Sequence, residues 1–273
     1  MDNAPVVPEL PELESDDLRD FEKALRLLDS PGIIARLSDL IGSPIEALLN
    51  RLPAGAARVI DAASSKALWA ALKIATGSLS KNSRNASPHD LRHRLLSGFS
   101  GAVGGAFGLP ALSIELPVTT TLIMRSIAEI ARSEGENLRD PAVGLACMEV
   151  FAFGSDQADD DAADSGYFAV RAALARAVNE AAQYIGRQGS VREGAPLIAR
   201  LLSRIASRFN TVVSEKILAE GIPLIGAAGG ATINVLFMRH YQDMAHGHFT
   251  IRRLERKYGV ETIQKQALLL RDQ

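Results

Sequence analysis

The stretch "RHYQDMAHGH" (239–248) gathers groups that could do chemistry: His240, Asp243 and His246 recur every third residue, and His248 follows. That spacing keeps neighbours loosely on one helix face, and imidazole with carboxylate can ligate Zn²⁺ or Fe²⁺. The pattern is neither H-E-x-x-H nor the paired E-x-x-H of di-iron bundles. Capping and surface histidines account for it better, and no cofactor is expected. Arg125 and Glu129 stand one helical turn apart, as do Arg239 and Asp243. If the helices carrying them are central, these charges are partly buried and must satisfy each other or a ligand. Ion pairing that sets helix register is the ordinary reading. The sharper one joins Arg125, Glu129, Glu149, Arg239, His240, Asp243 and His246 in one buried polar cluster. A metal-dependent hydrolase using Glu129, Glu149, His240, Asp243 and His246 is the corresponding enzymatic alternative.

A second charged pattern is "HFTIRRLERKYG" (248–259), where Arg252, Arg253, Arg256 and Lys257 accompany Phe249, Ile251 and Leu254. This basic amphipathic helix is either a solvated bundle face or a contact for anionic lipid or an acidic partner. Five aspartates in "GSDQADDDAADSG" (154–166) fail the calcium-loop pattern, and helix capping and dipole compensation explain Asp160, Asp161 and Asp164. "GFSGA" (98–102) lacks the second glycine of a nucleophile elbow, so Ser100 is not expected to be a nucleophile. The glycines of "GAVGGAFG" (101–108) match neither a phosphate-binding nor a dinucleotide-binding loop.

The elements that must position these residues are helical. Hydrophobic content is 47% with only 5% aromatic, so the apolar fraction is mostly Ala, Leu, Ile and Val, which suits closely spaced helices. No run alternates with period two for long, and only "RFNTVV" (208–213) is tempting as a strand. The expected fold is all-α: a multi-helix bundle with central Gly/Ala-rich helical hairpins and no significant sheet. A formal charge of −2 supplies no global field, so nucleic acid is not an expected partner. Cys147 is the single cysteine, which excludes an internal disulfide and a thiolate zinc cluster. The acidic, proline-spaced opening "MDNAPVVPELPELESDD" has no signal-peptide pattern, and an intracellular compartment is expected.

Residues 1–15 read as a disordered acidic tail, 16–77 as an N-terminal helical region, 78–88 as a polar linker and 89–273 as a helical core. Within the first region Ser15 caps a short amphipathic helix with Leu18, Phe21, Leu25 and Leu28 on one face. Further helices are expected at about 33–41, 44–52, 56–79, 88–108, 117–135, 141–153, 165–186, 195–208, 211–220, 223–246, 248–258 and 260–271.

Two uncharged runs stand out: "LLSGFSGAVGGAFGLPALSI" (95–114) and "GIPLIGAAGGATINVLFM" (221–238), of twenty and eighteen residues. Both meet the length criterion for spanning a bilayer. Composition opposes it, because eight strongly apolar residues in the first run supply about −2 to −5 kcal/mol before five glycines, three serines and a proline subtract. Gly101 with Gly105, Gly104 with Gly108 and Gly226 with Gly230 are four apart, the spacing that lets helices touch. Mutual packing inside a folded domain is therefore expected, with lipid an occasional host. Pro110 and Pro117 are expected to break the first run into a hairpin. Beyond each run lies an echo: "LIMRSIAEIAR" (122–132) and "LFMRHYQDMAH" (236–246) align without gaps at an offset of 114.

The phrases "GGAFGLPALSIELPVTTTLIMRSIAEIARSEGE", "DDDAADSGYFAVRAALARAV" and "SEKILAEGIPLIGAAGGATINVLFMRHYQDMAHGHFTIRRLERKYG" resemble the EcsC family of bacterial proteins, over about residues 50–260. The family's founding member is encoded beside the ATPase and permease of an ABC transporter and is regarded as membrane-associated. The resemblance thus implies a non-enzymatic accessory or regulatory role, with membrane lipids or a membrane complex such as an ABC transporter as partner. It brings no catalytic residues, and this chain has no ATP-binding or permease signature of its own. The implied place is the cytoplasm, peripherally membrane-associated or conditionally inserted; a soluble cytosolic scaffold is the other non-enzymatic alternative.

Overall fold

The structure, a computed structural model, describes residues 13–30, 35–36, 55–78, 108–155, 166–220 and 226–271. Among them are α-helices and short helical turns but no strand, so the fold is all-α. The helices are α1 (Ser15–Leu28), α2 (Ala56–Lys73), α3 (Gly108–Ser133), α4 (Pro141–Glu149), α5 (Tyr167–Gln188), α6 (Pro196–Glu220), α7 (Gly226–Tyr258) and α8 (Val260–Arg271). A π-turn, Ile74–Ser78, extends α2, and a 3₁₀ turn, Val150–Ala152, extends α4. Residues 79–88 of the expected linker, most of the tail 1–15, most of the expected helix 33–41, all of 44–52, and residues 95–107 and 221–225 of the two glycine-rich runs lie outside the described residues.

α4 is the axis of the core. Every residue from Val143 to Glu149 is buried, because the helix is apolar all round and other elements surround it. Asp140 opens it, its side chain accepting from the Ala142 amide at 2.9 Å, with Pro141 in the first helical position where no amide donor is needed. Gly144 permits the tight contact with the π-turn: a Cβ there would lie 2.7 Å from the Ala75 carbonyl oxygen. Around α4, Phe151, Phe209, Phe237 and Tyr241 pack edge to face, with Phe151 and Tyr241 centroids 5.1 Å apart. Buried residues of α1 and α2 belong to this same core, so the region expected at 16–77 contributes to one hydrophobic interior with the rest.

Three helix boundaries differ from expectation, each for a local reason. α3 starts at Gly108 and runs unbroken through Pro117. The ring at Pro117 removes the amide that would serve the Ser113 carbonyl, and Lys66 of α2 reaches that oxygen at 3.3 Å instead. α6 is continuous through "RFNTVV", which contains no breaker and buries Phe209, Val212 and Val213 with helical spacing. α7 runs through Gly247, a residue that costs about 1 kcal/mol in a helix interior, because α1 packs onto it too closely for any side chain. A Cβ at Gly247 would lie 2.5 Å from Leu28 Cγ and 2.9 Å from the Ala24 carbonyl oxygen.

α3 and α7, which carry the sequence echo, run parallel side by side. Gln242 donates to Ser126, Thr250 to Glu134 and Arg252 to Glu136, each pair 116 residues apart, and a constant separation means a common direction. The echo extends to burial. Met124 and Met238, Ala131 and Ala245 are buried, Arg125 and Arg239 are exposed, and Glu129 and Asp243 are half-buried.

Candidate functional site

The polar residues singled out in the sequence do not converge. Arg125, Arg239 and His246 are exposed, while Glu149 and His240 are buried. The helical period puts Arg125 and Arg239 on the outer faces of α3 and α7, which is why the expected buried cluster does not form. Nor do the one-turn pairs operate. Asp243 accepts from Arg36 at 2.9 Å, a residue 207 positions earlier, and Arg36 also donates to the Ser30 hydroxyl. The cation acting on half-buried Glu129 is Arg132, whose pull is smaller than the desolvation that raises the carboxyl above its usual range. Among the described residues no set of three His, Cys, Asp or Glu side chains could hold a metal ion.

What the fold assembles instead is a chain of buried and half-buried polar groups linking α4, α5 and α7. Glu255 takes both Arg171 guanidinium nitrogens, at 2.8 and 3.0 Å. Arg171 also donates to the Tyr167 hydroxyl at 3.0 Å, and Tyr167 lies 2.9 Å from His248 Nδ1. Arginine can only donate, so the Tyr167 oxygen is an acceptor toward Arg171, while the direction of its bond with Nδ1 follows the imidazole tautomer. His248 Nε2 faces Glu149 Oε2 across 3.9 Å, too long for a hydrogen bond. Helical spacing produces the arrangement: Tyr167 and Arg171 are one turn apart on α5, and His248 and Glu255 are two turns apart on α7.

The electrostatics of this chain are asymmetric. Arg171 is matched by Glu255 and Arg252 by Glu136, which leaves Glu149 without a cation of its own. Burial therefore pushes its carboxyl up to about 7, against the pull of Arg171 and Arg252 and with a push from Glu255. Burial holds His248 neutral, well below the ordinary imidazole range, and Arg171 and Arg252 act in the same sense. His240 is likewise held down, to about 4, chiefly by burial and then by Arg36. Neither of its ring nitrogens makes a hydrogen bond of good geometry. Gly154, at φ +70°, lies against the ring so closely that a Cβ would stand 2.4 Å from Cε1. Cys147 is fully buried and its thiol is pushed far up by desolvation, so it is not a nucleophile.

The four bases expected to meet lipid or a partner are all engaged within the chain. Arg252 and Arg256 converge on Glu136 at the α3–α4 turn. Arg253 bonds Asp17 at 3.1 Å, Asp20 at 2.6 Å and Glu134 at 2.8 Å. Lys257 bonds Asp17 at 2.7 Å and Glu14 at 3.1 Å, and the Tyr258 hydroxyl donates to Asp17 at 2.8 Å. Lys257 is the largest influence holding Asp17 below the usual carboxylate range. Sequence reasoning marked the bases but missed their acids, which lie more than 230 positions away at the start of the chain's first helix or 116 to 120 positions away at the α3–α4 turn. The acidic first turn of α1 was the available signal.

A third surface is apolar. Ile114 and Val118, one turn apart near the start of α3, are 73% and 56% exposed, and Val235 near the start of α7 is 54% exposed. The register of the parallel pair sets Val235 level with residue 119, so these side chains share one end of the bundle. Both uncharged runs lead into that end.

Residues 30–254 match the EcsC protein family, and the chain belongs to that family. No curated protein and no solved structure matches the chain.

Proposed function

We propose that this EcsC-family chain is a non-enzymatic accessory protein that binds peripherally to the cytoplasmic face of a membrane through the end of the bundle marked by Ile114, Val118 and Val235. The observation carrying this reading is the exposure of three aliphatic side chains at one level of two parallel helices. Each helix is entered through an uncharged, glycine-rich run. Among the described residues no helix is long and apolar enough to cross a membrane, which favours peripheral contact there. Against catalysis stand the burial of Glu149 and His248, 6% and 0% exposed, and the neutral state imposed on both histidines of the core. A link to an ABC transporter rests on the family resemblance alone.

Co-sedimentation with phosphatidylcholine vesicles tests the reading. Ile114→Asp with Val235→Asp is expected to cut vesicle binding about tenfold or more, since a charge placed in the apolar boundary costs more than 1.4 kcal/mol. Wild-type protein that stays wholly in the supernatant, or a double variant that sediments as well as wild type, would overturn it.

A further inference from the structure

We propose that the face of α7 from Gly247 to Lys257 is a docking groove for an acidic amphipathic helix of a partner protein, and that α1 is its intramolecular occupant, which must lift before that partner binds.

The fit between α1 and α7 has two components. Phe21, Ala24 and Leu28 form the buried stripe of α1, and Leu28 and Ala24 fill the trough left by Gly247. Glu14, Asp17 and Asp20 meet Arg253, Lys257 and Tyr258 at the other end. Leu28 lies at residue 247 and Asp17 at 257, so α1 runs antiparallel to α7. The recognised pattern is Asp, Asp, Phe, Ala, Leu at relative positions 1, 4, 5, 8 and 12, read from residues 17, 20, 21, 24 and 28. Amphipathic helices dock in grooves by such spacings.

A second observation sets α1 apart from the body it covers. The family match begins at residue 30, after α1 has ended at Leu28, yet it includes Gly247 and Arg253. The match thus covers the groove from Gly247 to Leu254 and leaves out the helix that lies in it. A fourteen-residue helix is marginal alone in water, so α1 owes its order to docking. A tethered occupant also excludes a free competitor through its high local concentration, which makes the contact self-inhibitory. A lipid surface would answer the bases but leave the Gly247 trough unfilled, and a helical partner answers both. This proposal goes beyond the membrane reading and does not rest on it.

The test uses the full chain and a labelled peptide of residues 13–30, LESDDLRDFEKALRLLDS, as the probe. Wild type is expected to bind it weakly, and Asp17→Lys with Asp20→Lys, which repels α1 from the groove, about tenfold or more tighter at one-to-one stoichiometry. Adding Arg253→Glu and Lys257→Glu is expected to abolish the gain. Hydrogen exchange should quicken across 15–28 and stay slow across 143–151. If the charge variant also loosens 143–151, Leu28→Ala, which keeps every charge and empties the Gly247 trough, carries the same expectation for the peptide. Equal binding by wild type and the released variants overturns the proposal. So does a gain of binding to phosphatidylserine vesicles without any gain for the peptide.

Discussion

Two polar regions meet on α7 and differ in how their charges are balanced. Toward the C-terminal end, Arg252, Arg253, Arg256 and Lys257 face Glu14, Asp17, Asp20, Glu134 and Glu136, and each base has an acid within bonding distance. Further in, the chain Glu255–Arg171–Tyr167–His248 ends at Glu149 with one carboxyl and no cation left for it. The first region is a joint. It is partly solvated, so salt screens it. The second is sealed, and a missing partner there changes a protonation state rather than a contact. Complete pairing in the first region helps hold α1 against α7, whereas incomplete pairing in the core makes stability depend on pH.

The sharpest way to break the contrast is Glu149→Gln. With its folded pKa raised from 4.5 to about 7, Glu149 contributes stability that is fully present below pH 4.5 and is lost as pH rises through about 7. Glutamine never ionises and keeps that contribution. The variant should match wild type near pH 4.5 and exceed it by up to about 3 kcal/mol at pH 8, measured by urea unfolding. A difference independent of pH would show that Glu149 does not carry the missing charge.

Two glycine substitutions then separate the regions by how far their damage travels. Gly154→Ala forces a methyl against the His240 ring at a positive φ, and is expected to lower global stability by about 2–3 kcal/mol. Gly247→Ala meets Leu28 and the Ala24 carbonyl. It should cost about 1–3 kcal/mol, confined to α1 and read as faster hydrogen exchange across 15–28 with the core unaffected. Smallest of all is Lys257→Met, which removes one partly exposed ion-pair partner. It should speed exchange across 15–28 slightly at low salt, with the difference vanishing at high salt in the same measurement.

Much of the fold was legible because it follows from periodicity. The helical spacing of apolar residues and the absence of strand alternation announce an all-α chain, and α4, α5 and α8 fall close to their expected bounds. Proline misled at Pro117, because a lysine from another helix takes the carbonyl that the ring leaves free. The polar residues were legible as types and not as neighbours. His240, Glu149 and Asp243 were marked by residue type, but Asp243 pairs with Arg36, and His248 is met by Tyr167, itself bonded to Arg171, from a helix that no local pattern connects to it.

By itself the sequence determined the helical character of the chain, the uncharged glycine-rich runs, the basic stripe on α7 and membership of the EcsC family, since all of these reside in residue type and short-range spacing. Only the tertiary structure decided that the basic stripe is covered by α1, that Arg125 and Arg239 face outward, and that Glu149 is buried without a cation. Those outcomes depend on which side chains meet across more than a hundred positions of chain, and contacts of that range are selected by packing of the whole core.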